Sequence, residues 1–211
     1  YFVFPGFLFS AAAGLLAGWV DRKVTARIQW RVGPPWYQNF MDVAKFFYKE
    51  TLIPHVSSKP FFFAMPVIAL VSATLVSTIV ILENLRPHTG FAGDVIVVLY
   101  LSMMPSIALM MGGFLSANPL ANIGSSREMK LILSYELPFI LTLAVPIIKS
   151  GYSITLGSIL TAQIHNGAFI TSPSGLLAFI VGILTVQAKL GFVPFDIAEA
   201  ETEIVSGPYI E

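Results

Sequence analysis

The chain contains no cysteine. It can therefore hold neither a disulfide nor a thiolate-bound iron–sulfur cluster, so any such redox centre must sit on another subunit. Histidine is nearly as scarce. His55, His88 and His165 are scattered, which argues against a metal site on this chain. Charge is thin too: 11% of residues are Asp, Glu, Lys or Arg, against about 25% in soluble domains. The formal net charge is zero, so no basic field points to nucleic acid. What fills the chain instead is apolar, with 55% hydrophobic residues and a mean hydropathy of +0.77. One soluble core cannot bury that excess, and a bilayer is the expected solvent.

Five stretches approach the ~20 residues a helix needs to cross hydrocarbon. They run approximately over residues 1–20, 61–82, 95–115, 131–148 and 176–193. None alternates as a barrel strand does. The chain reads as an all-α polytopic membrane protein, with a single transmembrane domain over residues 1–211. It begins at Tyr1 inside an apolar run, without methionine, and stops at Glu211 without a closing element; it is expected to be a fragment of a longer chain. The segment after the first span carries Arg22, Lys23, Arg27, Arg31, Lys45, Lys49 and Lys59, and the one before the fourth carries Arg127 and Lys130. The positive-inside bias makes loops 21–60, 116–130 and 194–211 cytoplasmic and puts the N-terminal end outside.

Within the first loop, "GPPWYQ" is a turn signal, because two prolines cannot continue a helix. The following "NFMDVAKFFYKE" spaces Phe40, Val43, Ala44, Phe47 and Tyr48 as a short amphipathic helix does. It is either a membrane-surface helix or a docked loop helix.

The charged residues in or near lipid carry the most information. Glu136 lies inside the fourth span, where an ionised carboxylate costs about 2.5–3.5 kcal/mol or more. It needs a cation, a hydrated cavity or a proton. Glu128 precedes it by eight residues, near the same helical face and about 12 Å away. Lys189 either snorkels to the headgroups or is the counter-ion of Asp196 or Glu136. The final stretch "GFVPFDIAEAETEIVSGPYIE" holds Asp196, Glu199, Glu201, Glu203 and Glu211 with no lysine or arginine. Crowded carboxylates repel, so at least one should bind a proton more readily than a free glutamate.

Three motifs together carry a resemblance. "DRKVTARIQWRVGPP" (Asp21–Pro35), "NIGSSREMKLILSYELP" (Asn122–Pro138) and "PFDIAEAETEIVSGPYIE" (Pro194–Glu211) resemble, in order, segments of subunit 1 of respiratory complex I. That family has about eight spans. Two departures stand out: Gly33–Pro34–Pro35 runs almost directly into Trp36, and Leu131 stands where the family has glutamine. Both argue against a quinone pocket. The shorter loop resembles the membrane anchor of energy-converting [NiFe] hydrogenases and formate hydrogenlyase.

The resemblance implies a non-catalytic subunit in which Glu128, Glu136, Asp196, Glu199, Glu201 and Glu203 form a proton path. Arg127 and Lys189 would set their proton affinities, and Arg22, Lys23, Arg27 and Arg31 would lie in the loop that docks the redox arm. It further implies iron–sulfur clusters and a nickel–iron centre on hydrophilic cytoplasmic partners, with antiporter-like subunits beside it in the membrane. A quinone-site subunit of an NADH dehydrogenase and a free-standing secondary transporter are the competing readings.

Overall fold

The computed structural model describes residues 3–50, 53, 57–87 and 90–209. His55, His88, Glu211 and the side chains of Glu201 and Thr202 lie outside that description. Among the described residues the regular structure is all helical, with seven helices of ten or more residues and a final short one. The chain divides into two compact units, residues 1–52 and 53–211.

In the first unit, α1 (Phe7–Ile28) and α2 (Gln38–Phe47) are joined by the glycine–proline segment. α1 stops where Trp30 takes a left-handed backbone, φ 60°, and the Arg31 amide donates to the Ala26 carbonyl at 2.7 Å. The chain then turns back on the helix. Lys23 Nζ donates to the Gly33 carbonyl at 3.2 Å, and Trp19 Nε1 to the Pro34 carbonyl at 3.0 Å. Only glycine suits this return, because a Cβ at Gly33 would stand 3.1 Å from Lys23 Cα. Buried Asn39 pins α2 by donating to the Leu15 carbonyl at 2.8 Å, and Arg22 pairs with Asp42 at 3.3 Å. Phe46 and Phe47 stay exposed on α2.

In the second unit, α3 (Lys59–Leu85), α4 (Asp94–Leu115) and α5 (Pro119–Lys149) pack in sequence, and α7 (Pro173–Lys189) lies on α5. α6 (Leu156–Asn166) leans on α3. α5 and α7 start on readable signals: Asn118 before Pro119 accepts from the Leu120 amide at 3.0 Å, and Ser172 before Pro173 accepts from the Gly175 amide at 3.2 Å.

Three of the five expected spans, α3, α4 and α5, are long and apolar enough to cross a membrane. α7 is apolar but has 17 residues, roughly 26 Å of helix against a hydrocarbon core of about 30 Å. α1 is not among the candidate spans, since the described helix begins at Phe7 and its last two turns carry Asp21, Arg22, Lys23 and Arg27. The expected loop 116–130 is mostly helix: α5 begins at Pro119 and places Arg127 and Glu128 on the same rod as Glu136. Nothing in the hydropathy pattern foretold α6.

The acidic end folds back onto the bundle. After α8 (Glu201–Ile204), a turn of 3-10 helix at Gly207–Tyr209 packs against α4 and α5. A Cβ at Gly124 would lie 2.6 Å from Pro208 Cδ and 2.7 Å from Gly207 Cα. The acidic segment is therefore docked by shape, with glycine on α5 leaving the space that Pro208 fills. Gly124→Val is expected to cost about 1–3 kcal/mol through overpacking. Thermal melting should show the loss, and limited proteolysis should find residues 190–209 newly cleavable.

Candidate functional site

The site grows from the ends of α5 and α7. Glu136 sits on α5 and Lys189 is the last residue of α7, so the packing of these two helices brings opposite charges together. Lys189 Nζ lies 3.5 Å from Glu136 Oε2, with the two side chains only 11% and 12% exposed. The ammonium also donates to Ser102 Oγ on α4 at 2.9 Å and stands 4.2 Å from the centre of the Phe139 ring. Glu136 Oε1 is buried without a hydrogen-bond partner. The lysine does not snorkel outward here, and its carboxylate partner is Glu136, not Asp196.

A second set of groups lies toward the start of α5. Tyr135 donates from its hydroxyl to Ser106 Oγ at 3.1 Å, and Ser106 also hydrogen-bonds the carboxylate of Glu128, which is buried. Glu128 in turn feels the charge of Glu199 in the acidic segment. Ser102 and Ser106 are four residues apart on one face of α4, so one helix face serves both acidic sites. Neither serine was singled out from the sequence. The available signal was a pair of hydroxyls at helical spacing flanking Pro105.

A cavity of about 560 Å³ opens beside these groups, with Glu128, Lys189 and Glu199 on its polar side. Pro66 of α3 and Pro105 of α4 line it as well. Each proline lacks the amide that would bond to the carbonyl four residues earlier, so both helices carry an acceptor without its usual helical partner there. Such groups are stable at membrane depth where they face a hydrated space.

The acidic segment is held by charge as well as shape. Arg127 donates to Glu203 Oε2 at 2.6 Å and to the Ile197 carbonyl at 3.3 Å. Glu203 is 61% exposed, so this contact is a surface latch and not a buried relay. Burial pushes the Glu199 carboxyl above the usual glutamate range, outweighing the hydrogen bond from the Tyr209 hydroxyl, and the nearby charge of Asp196 acts in the same direction as burial. In the first unit Arg22 engages Asp42 and Lys23 the Gly33 carbonyl, while Arg27 and Arg31 are exposed. No group of three or more His, Cys, Asp or Glu side chains capable of holding a metal occurs among the described residues.

Two outcomes follow from this geometry. Removing one partner of a buried ion pair costs about 3–5 kcal/mol, because the other charge is left uncompensated. Lys189→Met should therefore destabilise strongly, and adding Glu136→Gln should recover most of the loss in a double-mutant cycle read by thermal melting. The second outcome concerns pH. A carboxyl whose proton affinity is raised by folding stabilises fully below its unfolded value and loses that contribution as pH rises through the folded one. The segment 190–209 should thus exchange its amides faster as pH climbs past the ordinary carboxylate range, and Glu199→Gln should flatten that rise.

A family profile described as NADH dehydrogenase matches residues 2–211. A membrane subunit of the NADH-quinone oxidoreductase of Anoxybacillus flavithermus is 31% identical over 205 residues, and its counterpart in Bacillus thuringiensis is 30% identical. Each alignment covers 94% of this chain, which spans 60% of the length of those relatives. Among solved structures, the membrane-bound sulfane sulfur reductase, an archaeal respiratory membrane complex, contains a chain with a TM-score of 0.84 and 30% identity. That match covers 97% of this chain and 66% of the other. The protein is a multi-pass membrane protein, and it belongs to the NADH dehydrogenase subunit 1 family of complex I.

Proposed function

We propose that this chain is the membrane-anchoring, ion-translocating subunit of a complex I-like respiratory oxidoreductase, in the branch of energy-converting hydrogenases and related ferredoxin-oxidising complexes. The observation that carries the proposal is the buried Lys189–Glu136 pair at the inner end of a series of acids that starts in the docked segment. On this reading redox chemistry belongs to hydrophilic partners with iron–sulfur clusters, docked on the side of the basic loop, which is cytoplasmic. The relatives named above are respiratory, and nothing about them singles out a hydrogenase.

Oxidation and reduction in the partners change the charge or position of the segment carrying Asp196, Glu199, Glu201 and Glu203. Glu199 is poised to take up a proton, because burial disfavours its charged form. Glu128, electrostatically coupled to Glu199, responds, and the cavity supplies the space for water to bridge the about 12 Å of helix rise to Glu136. A proton arriving at Glu136 cancels its charge and leaves Lys189 a buried cation without a counter-ion. That state is costly, and its relief drives the next transfer toward antiporter-like subunits. Asp196 and Glu203 act at the mouth, with Arg127 holding Glu203.

The curated relatives are named for quinone, and a quinone-site role is the second reading. Against it stands the short return of Gly33–Pro34–Pro35 onto α1, with Trp36 following at once. In membranes carrying the whole complex, Glu136→Gln is expected to lower the number of ions moved per electron by tenfold or more. Unchanged pumping would remove Glu136 from the path. A complex that turns over without added quinone, and whose purified form contains nickel and iron, supports the hydrogenase branch over the quinone one. Capture of the chain without any iron–sulfur subunit would point to a free-standing transporter.

A further inference from the structure

The opposite end of the second unit holds a pair of buried acids that the proposed ion path does not use. Glu83, on the last turn of α3, is 3% exposed, and Asp94, the first residue of α4, is fully buried. Asp94 has an evident structural duty on one side only. Its Oδ1 accepts from the Leu156 amide at 2.7 Å, capping α6, whose own N-cap residue Thr155 makes no side-chain cap. The other oxygen, Oδ2, is buried without a hydrogen-bond partner.

That oxygen does not point into apolar packing. A Cβ built on Gly90 would lie 2.7 Å from Asp94 Oδ2 and 2.8 Å from Glu83 Oε1, so both oxygens converge on one small volume. The Pro87 carbonyl borders it as well: a Cβ on Gly157 would touch that carbonyl and lie 2.9 Å from Glu83 Oε2. Two carboxylates and a carbonyl aimed at one space form a donor set of hard oxygens, and a glycine leaves that space unfilled. Gly90 itself is exposed, which gives an ion a route in and room for water ligands. A carboxylate oxygen has lone pairs enough to accept a hydrogen bond and touch a cation at once, so other contacts of Glu83 do not compete.

We propose that Asp94, Glu83 and the Pro87 carbonyl form a site for a hard divalent cation, calcium by preference, that ties the α3–α4 turn to the N-terminus of α6. The chemistry favours it over a purely protein-made arrangement. Like charges so close repel, and the α6 N-terminus offsets only a fraction of one charge. Oxygen donors select calcium or magnesium over softer metals, and calcium accepts the irregular shell of protein oxygens and water that this geometry offers.

The test uses the intact complex, stripped with chelator and melted at rising CaCl₂, with MgCl₂, NaCl and choline chloride as parallel titrants. Wild type should gain at least roughly 3 °C, saturably, in calcium. Gly90→Ala keeps both carboxylates and the α6 cap but puts a methyl group between the two oxygens; it should lose the calcium response. Asp94→Asn should lose it as well. Wild type unresponsive to every cation, or Gly90→Ala and Asp94→Asn responding as wild type does, would overturn the site. An Asp94→Asn variant more stable than wild type at every calcium concentration would also overturn it, and would show that a proton neutralises the acid pair.

Discussion

A carboxylate in an apolar bundle survives as an anion only beside a cation, and the Lys189–Glu136 contact sets how the second unit must be built. Lys189 can reach Glu136 only because it is the last residue of α7. The helix stops there as the chain reaches Gly191, whose φ of +67° no helix can continue. A longer α7 would carry the chain past the depth of Glu136. The short helix and the buried pair are thus one fact seen twice. Ser102 and the Phe139 ring complete the surroundings of the ammonium, and they come from α4 and α5 respectively. Three helices must therefore keep register for one charge to be tolerated.

The same unit handles acids differently at its two ends. Toward the docked acidic segment, charge is balanced by side-chain cations: Lys189 for Glu136 and Arg127 for Glu203. At the α3–α4 turn it is met by a helix N-terminus, through the Leu156 amide on Asp94. Side-chain cations can change rotamer or lose their partner when a proton arrives, whereas a capped helix end is fixed by backbone. The first arrangement suits a site that changes charge during turnover. The second suits one that holds two helices in place.

Much of this was legible in the sequence, and the limits have physical causes. Glu136 was conspicuous because a lone carboxylate in a run of apolar residues is costly wherever it lies. Its partner was open between two acids, since the reach of Lys189 depends on where α7 ends, and Gly191 signals an end without fixing its depth. The start of α5 was written as Asn118–Pro119, yet hydropathy placed the boundary near residue 131, because Arg127, Glu128 and Lys130 read as loop. Helical propensity and packing on α4 override that local polarity. The first span was overestimated for the opposite reason, as apolar content alone did not reveal that α1 runs on through Asp21, Arg22 and Lys23. Ser102, Ser106 and the Gly124–Pro208 contact were hidden, because small residues announce close approach only once the neighbouring helix is known.

The prolines of α3 and α4 connect the fold to the proposed chemistry. Glu128 and Glu136 are too far apart along α5 for direct transfer, so any path between them needs hydrated space and polar edges to line it. Apolar side chains alone make a dry cavity. Pro66 and Pro105 change this from within the helices: each deprives the carbonyl four residues earlier of its amide, and each borders the cavity where Glu128, Lys189 and Glu199 converge. Alanine at either position would restore the helical ladder and turn that wall apolar. The acids supply the protons' resting places, but the missing amides make the space between them wet enough to cross.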